Sequence, residues 1–241
     1  MNAIKTQNLT KIYKIPHEKK GTFFETAIDV FKRRISYEKL YALNGVSLEI
    51  NKGEIVGLIG KNGSGKTTLL KILSGIILPS SGEISVEGRV APFFSPSLGF
   101  NAELTVRENF DLLGVIFNMP KGEIKNRFDK VMDFAGIEKF RDAKLKNLSA
   151  GMAARFAFAT MVETDPEIML LDEIFSIGDK EFVDKSLIVL DSYRKSMKTI
   201  VFASHSLDIV EKYCDRTILL NHGKLEMFDE TKKVIDYYLR N

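Results

Sequence analysis

Residues 54–73 read EIVGLIGKNGSGKTTLLKIL, and this stretch decides the fold. The run EIVGLI at 54–59 predicts a buried strand, the glycine-rich segment after it predicts a tight loop, and the leucine and isoleucine spacing beyond Lys66 predicts a helix. The pattern GxxxxGK[ST] occupies residues 60–67 in the strand–loop–helix context that it requires. The stretch is therefore predicted to be a phosphate-binding loop.

The residue types of this loop suit the binding of a nucleoside triphosphate. Glycines let backbone N–H groups curl around phosphates at a helix N-terminus, where the helix dipole favours anions. Lys66 can reach the β- and γ-phosphates, and the Thr67 hydroxyl can bind Mg²⁺. The glycines alone could also suggest a dinucleotide fold, but the Lys66-Thr67 pair belongs to triphosphate chemistry. The predicted phosphate ligands are Gly60, Asn62, Gly63, Ser64, Gly65, Lys66, Thr67 and Thr68.

Strand-like and helical segments alternate on both sides of the loop. Strand-like runs occur at 46–50, 54–60, 83–88, 167–172, 199–204 and 216–220. This alternation predicts an α/β fold with a mainly parallel core sheet. Between 101 and 164 the runs disappear and the spacing turns helical, which predicts an inserted helical subdomain. We expect residues 1–241 to form a single domain.

Composition supports a globular chain and excludes some partners. The 241 residues are 44% hydrophobic and 28% charged, with a net charge of +3. That charge is too small to mark a dedicated nucleic-acid binder. One cysteine, Cys214, cannot form an internal disulfide, which favours a reducing cytoplasm. With no run of about 18 apolar residues and no leader pattern, we expect the chain neither to span a membrane nor to be exported.

Two acidic residues end the apolar run at 168–171. Adjacent residues at a strand end point in different directions, so Asp172 can hold Mg²⁺ while Glu173 activates the attacking water. His205 follows the run at 199–203, and it could reach the same sheet edge and sense the γ-phosphate. A single histidine at a strand end can equally be structural.

The segment LSAGM at 148–152 allows two interpretations. Ser149 can simply cap a helix. A helix start that offers a hydroxyl and the close-approach glycine Gly151 is also suited to phosphate. The segment lies in the helical region, away from the phosphate-binding loop of its own chain.

These elements, in this order and over essentially the whole chain, resemble the nucleotide-binding subunit of an ATP-binding-cassette (ABC) transporter. The resemblance rests on the loop at 60–67, LSAGM, MLLDE at 169–173, SIGD at 176–179 and His205. It implies a P-loop NTPase cassette with a mainly parallel core sheet, an antiparallel β subdomain and an inserted helical subdomain. It also implies ATP and Mg²⁺ as cofactors.

The same resemblance assigns roles that the residues alone do not. Tyr13 matches the aromatic residue that stacks on adenine, and Asp179, in the D-loop-like segment 176–179, is expected among the residues that bind the nucleotide. In this family a homodimer holds two ATP molecules. Each lies between the phosphate-binding loop of one chain and the helix of the other chain that begins at the signature segment, here LSAGM at 148–152. Ser149 and Gly151 would then bind the partner's nucleotide.

Two finer segments resemble the ATPase subunits of bacterial polysaccharide exporters for O-antigen, teichoic acid or capsule: residues 97–109 and 172–179. This implies two copies of a transmembrane permease subunit, a lipid-linked polysaccharide as cargo, no nucleic acid, and a peripheral position on the cytoplasmic face of the inner (plasma) membrane. An appended sugar-binding domain is not expected. Three alternatives stay open: a cassette for a lipid, drug or small solute, a ribosome- or DNA-remodelling cassette, and a P-loop kinase.

The sequence departs from the family pattern at two places. Ala150 and Met152 replace the usual glycine and glutamine of the signature, which leaves Ser149 and Gly151 intact. The loop that usually carries a Mg²⁺-binding glutamine reads VAPFFSPS at 90–97, where Ser95 is the nearest match and is too short to substitute directly.

Residues 22–36 are predicted to form an inserted amphipathic helix. Phe24, Ile28, Phe31 and Ile35 recur at helical spacing and make one apolar stripe. The stripe could be covered by the chain's own sheet, by the membrane surface, or by the permease near its cytoplasmic entrance.

Overall fold

The structure is a computed structural model that describes residues 1–16, 37–94, 99–117, 119, 121–174 and 180–241. The predicted helix at 22–36, Ser95 and the segment 176–179 with Asp179 lie outside the described residues. Within the described ranges the strands are β1 Asn2–Pro16, β2 Tyr37–Asn51, β3 Ile55–Ile59, β4 Ser81–Val86, β5 Val90–Phe93, β6 Ile168–Asp172, β7 Thr199–Ala203, β8 Arg216–Asn221 and β9 Lys224–Glu230. The α-helices there are α1 Lys66–Leu73, α2 Val106–Ile116, α3 Lys121–Ala135, α4 Ala150–Glu163, α5 Lys180–Lys195, α6 Leu207–Tyr213 and α7 Thr231–Arg240.

The core is a six-stranded sheet in the order β5-β6-β7-β3-β8-β9. Its first five strands are parallel, and β9 pairs antiparallel with β8. The predicted α/β class with a mainly parallel sheet is confirmed, and each of the six strand-like runs contributes to a strand. Strand β3 lies inside the sheet, so the loop that follows it opens at the middle of the sheet edge.

Both faces of the core sheet are buried, which explains why its strands read as continuous apolar runs. Ile55 and Ile59 of β3 pack into a cluster with α4, α5 and α6. Val56 and Leu58, which point to the opposite face, pack with α1 and with strands β1 and β2. The two-residue period of a strand therefore divides one sequence run between two hydrophobic layers.

A second sheet is antiparallel, with strand order β2-β1-β4. Strands β1 and β2 are each 15 residues long and pair along most of their length. Their register places Tyr13 opposite Leu40 and Ile12 opposite Tyr41. Tyr13 of β1 and Leu40, Tyr41 and Ala42 of β2 lie near the loop after β3. The antiparallel sheet in the predicted fold is thus confirmed.

Helices α2, α3 and α4 occupy the region between 101 and 164, apart from an isolated bridge between Thr105 and Lys144. A third apolar cluster joins these helices, and the rings of Phe110 and Phe128 lie 5.4 Å apart within it. Thr105 caps α2 reciprocally with Glu108, which fixes the start of that helix. That these residues form a separate subdomain of a single 1–241 domain stays a prediction.

One expectation was wrong: part of the segment 90–97, read as a loop, is strand β5. Residues Val90–Phe93 pair in parallel with Ile168–Leu171 of β6. The segment was interpreted as a loop from the family resemblance, and it contains Pro92, which cannot donate a ladder hydrogen bond. In the described residues β5 is an edge strand, and a proline is tolerated at such a position. None of the described helices has both the length and the apolar character needed to cross a bilayer.

Candidate functional site

The loop at 60–65 adopts a backbone that requires its glycines. Gly60, Gly63 and Gly65 have φ of 145°, 76° and 107°, a region that side chains other than glycine rarely occupy. A Cβ on Gly60 would lie 2.3 Å from the carbonyl oxygen of Leu220, and one on Gly65 would lie 2.5 Å from that of Ala42. The loop is therefore packed tightly between β8 and β2, in front of the N-terminus of α1.

Lys66 is the first residue of α1, and its side chain turns back into the loop. Its ammonium donates to the carbonyl oxygens of Gly60 at 2.7 Å and Lys61 at 3.3 Å. The residue is 8% exposed, and burial lowers the pKa of the ammonium, while the nearby carboxylates of Glu173 and Asp172 oppose that fall. The loop thus holds a cation in its concave side, where an anionic group would complete the charge balance.

The next residue of the helix connects the loop to strand β6. The Thr67 hydroxyl donates to Oδ2 of Asp172 at 2.6 Å, across 105 positions of sequence. Strand β6 ends at Asp172, two strands away from β3 in the sheet. Carboxyl ends of parallel strands meet at one edge, which is why a carboxylate distant in sequence reaches the first turn of α1.

Glu173 and His205 form a second pair at this edge. The β6–β7 register places Asp172 opposite Ala203, and the Glu173 amide donates to the Ala203 carbonyl at 3.1 Å. His205 Nε2 lies 3.4 Å from Glu173 Oε1. Glu173 has φ of 54°, a strained value for a residue with a side chain, and such strain is concentrated at functional sites.

A cleft of about 380 Å³ joins these groups to the antiparallel sheet. Tyr13 lies at its β1 side and is 39% exposed. The sequence did not single out three further lining residues, Leu40, Tyr41 and Ala42 on β2; the antiparallel pairing of Tyr13 with Leu40 is the signal that finds them. The lining residues are Tyr13, Leu40, Tyr41, Ala42, Asn62, Gly63, Ser64, Gly65, Lys66, Thr67, Thr68, Asp172, Glu173 and His205.

Ser149 and Gly151 are not among the residues that line this cleft. Ser149 caps α4, where its hydroxyl accepts from the Met152 amide at 3.2 Å. A Cβ added to Gly151 would meet no atom within 4 Å. Among the residues that the structure describes, none fills the space beside Gly151, so the start of α4 is an open helix N-terminus there.

A larger cleft, of about 450 Å³, lies elsewhere, between α3 and the C-terminal ends of α4 and α5. Its lining mixes acidic and basic side chains, including Arg127, Glu163 and Lys198, and contains none of the predicted site residues. Its size does not make it the better candidate, because the smaller cleft gathers the glycine loop, a buried lysine and two carboxylates.

Comparison with known proteins agrees with the geometry. A sequence profile of the ABC transporter family matches residues 43–176. The teichoic acids export ATP-binding protein TagH of Bacillus anthracis is 36% identical over 235 residues, which cover 98% of this chain and 42% of that protein. The O-antigen export system ATP-binding protein RfbB of Klebsiella pneumoniae is 34% identical over 200 residues, covering 83% of this chain and 81% of that protein. The chain spans less than half the length of the teichoic acid relative.

Solved structures extend the likeness to the fold. A dimeric ATP-binding cassette in a post-hydrolysis state, bound to ADP and phosphate, superposes with a TM-score of 0.76 at 26% identity, covering 95% of this chain and 98% of that one. An ATP-binding subunit of an ABC transporter gives a TM-score of 0.78 at 20% identity, over 98% of this chain and 93% of that one. At this low identity the match supports only the assignment of the fold. The resemblance drawn from the sequence motifs is confirmed. The chain belongs to the ABC transporter family and has the fold of its ATP-binding cassettes.

Proposed function

We propose that the chain is the ATP-hydrolysing subunit of a transporter that exports a lipid-linked polysaccharide. The observation that carries the ATPase is the meeting of three groups in one cleft: the Lys66 ammonium inside the glycine loop, the Thr67–Asp172 pair, and the Glu173–His205 pair. Each group matches one requirement of phosphoryl transfer, which relies on positioning and on charge stabilisation.

The loop that follows the core sheet is proposed to bind the phosphates, and the antiparallel sheet is proposed to contact the nucleobase. The loop amides and the Lys66 ammonium hold the phosphates, since a buried cation beside open N–H groups attracts an anion strongly. Tyr13 and its neighbours on β2 provide an apolar and aromatic wall for the flat base, at the other end of the cleft. Stacking of a base on an aromatic side chain needs no specific hydrogen bond.

The site also suits Mg²⁺, which prefers hard oxygen ligands. The Thr67 hydroxyl and the Asp172 carboxylate are such oxygens and already lie 2.6 Å apart beside the phosphate loop. When bound, Mg²⁺ neutralises charge on the β- and γ-phosphates. Ser95, the nearest match to the family's glutamine, lies outside the described residues.

Glu173 is the proposed general base. Its carboxylate lies beyond Asp172 on the same strand end and 3.4 Å from the His205 ring, so it can accept a proton from water attacking the γ-phosphate. His205 is the proposed sensor of that phosphate, because it approaches the same carboxylate from the neighbouring strand. Lys66 stabilises the negative charge that develops on the transferred group.

A second copy of the chain supplies the missing wall. Ser149 and Gly151 form an open helix N-terminus outside the cleft, and such an N-terminus favours a phosphate brought to it from another chain. In a homodimer, the cleft of each chain would face the start of α4 of the other chain, which gives two shared sites. Related cassettes have been solved as dimers.

The transported substrate is inferred from the relatives. Proteins 34–38% identical are named as ATP-binding proteins of teichoic acid and O-antigen export. We propose the same class of cargo for this chain, together with a membrane-spanning permease in two copies on whose cytoplasmic side it sits. A cassette for a lipid, drug or small solute is the competing assignment.

The ATPase is tested with the purified chain. Phosphate release from ATP should require Mg²⁺ and should fall to background in Lys66→Ala, whose loop has lost its cation. Lys61→Ala is the matched control, because Lys61 is exposed in the same loop and contributes only a carbonyl to Lys66. Equal turnover in Lys66→Ala and the wild type would refute the assignment.

Cargo is tested by deleting the gene and measuring surface polysaccharide, which should be lost and restored only by the active chain.

A further inference from the structure

The turn between β8 and β9 contacts the nucleotide cleft without lining it. His222 and Gly223 form its tip, with φ of 45° and 76°. The Gly223 amide donates to the carbonyl oxygen of Ser64 at 3.0 Å, and the Gly223 carbonyl accepts from the Asn44 amide at 2.8 Å. One glycine therefore bonds the phosphate loop on one side and strand β2 on the other.

Steric contact reinforces these two hydrogen bonds. A Cβ on Gly223 would lie 2.9 Å from the carbonyl oxygens of both Tyr41 and Ala42, and 3.1 Å from the Ala42 carbonyl carbon. These are backbone atoms, so they cannot move aside as a flexible side chain would. The turn therefore packs closely against Tyr41 and Ala42, two of the three β2 residues that line the cleft beside the proposed nucleobase site.

The turn lies between two walls of the cleft, the phosphate loop and strand β2, which are proposed to bind different parts of the nucleotide. Ser64 belongs to the loop that receives phosphates, whereas Tyr41 and Ala42 belong to the wall that, with Tyr13, faces the nucleoside. The two walls come from different sheets. Their separation depends on contacts between the sheets, and the Gly223 turn provides such a contact at the cleft itself.

We propose that Gly223 is a positioning residue that sets the distance between the phosphate loop and the β2 wall, and so determines how well the nucleoside and the triphosphate are held together. This rests on the proposed function. Any side chain at Gly223 must move β2 away from the loop by a few tenths of an ångström, while also straining a backbone with positive φ. The loop also contacts β2 and the turn, but it is continuous with β3 and α1 and is bridged internally by Lys66, so we expect its backbone to be displaced less than that of β2.

The test compares two probes on the full chain, ATP and inorganic tripolyphosphate, by calorimetric titration with Mg²⁺. In Gly223→Ala the affinity for ATP should fall roughly tenfold, as expected for a misplaced binding wall, while the affinity for tripolyphosphate should stay within about threefold of the wild type. Gly45→Ala is the matched control: Gly45 lies on β2 with φ of 70°, but a Cβ there meets nothing within 4 Å. It should keep both affinities.

The outcomes distinguish a failure of the proposed role of Gly223 from a failure of the proposed ATPase function. A wild type that binds neither probe refutes the proposed function. A wild type that binds both, with Gly223→Ala losing both equally or losing neither, overturns the inference alone. Should Gly223→Ala fail to fold, Asn44→Pro replaces it, since that change removes the amide bonded to Gly223. An unchanged ratio of the two affinities in Asn44→Pro would likewise overturn the role of the turn.

Discussion

Replacing Glu173 with glutamine should separate nucleotide binding from hydrolysis. The amide has nearly the shape of the carboxylate, so the strained backbone at φ of 54° and the hydrogen bond to the Ala203 carbonyl are expected to persist. What is lost is a base able to accept a proton from water. The phosphate loop and the Thr67–Asp172 pair are not altered by this change.

The expected loss in turnover follows from the worth of a positioned general base, about 10²–10⁴-fold, which corresponds to about 3–5 kcal/mol of transition-state stabilisation. Affinity for ATP should be kept or increased, because one negative charge near the phosphates is removed. The same loss removes an attraction that raises the pKa of Lys66, so that pKa should fall further below its usual value. Bound ATP that is not hydrolysed should also hold the dimer closed.

The assay is single-turnover phosphate release, combined with size-exclusion chromatography in MgATP. Glu167→Gln is the matched control: this exposed carboxylate directly precedes β6, at the opposite end of the strand from Glu173, and its loss should leave turnover unchanged. Turnover by Glu173→Gln within a few-fold of the wild type would refute the assignment of Glu173 as the base.

Two further predictions concern the metal and the pH dependence of stability. Thr67→Ala should raise the Mg²⁺ concentration needed for half-maximal turnover, whereas Thr67→Ser, which keeps the hydroxyl, should not; identical Mg²⁺ titrations of the two variants would count against Thr67 as a ligand. Burial raises the pKa of Glu163 above 4.5, against the opposing charges of Lys130 and Arg127, so the folded state holds that proton more tightly. The resulting stability is fully present below pH 4.5 and lost as the pH rises through the folded-state pKa. Glu163→Gln should therefore gain stability relative to the wild type across that window in urea unfolding, and parallel pH curves would contradict this.

The phosphate side of the site could be predicted from the sequence because its determinants are local or follow from the strand rule. The glycine spacing and the Lys66-Thr67 pair lie within eight residues. Asp172 and His205 each follow an apolar run, and parallel strands bring their ends to one edge of the sheet. Their meeting needed no knowledge of side-chain packing.

The wall of the cleft that is proposed to contact the nucleobase could not be predicted in the same way. Leu40 and Tyr41 line the cleft only because β2 pairs antiparallel with β1 in a particular register, and that register joins positions 27 or more residues apart through a segment with no repeating strand pattern. Strand β5 was missed for a different reason: residues 90–97 were interpreted through their match to a loop of the family, and an edge strand that contains Pro92 gives only a weak strand pattern. Gly223 carried no motif, and its contacts with two strands appear only in three dimensions.

The proposed two-chain site is tested most directly by mixing two inactive variants. Lys66→Ala disables the phosphate loop, and Ser149→Arg blocks the open start of α4; each homodimer then lacks any intact site. A mixed dimer places both defects in one shared site and leaves the other whole. We predict that ATP turnover reappears on mixing and is greatest at equal amounts of the two chains. Mixtures that never exceed the sum of the separate variants would contradict a site built from two chains.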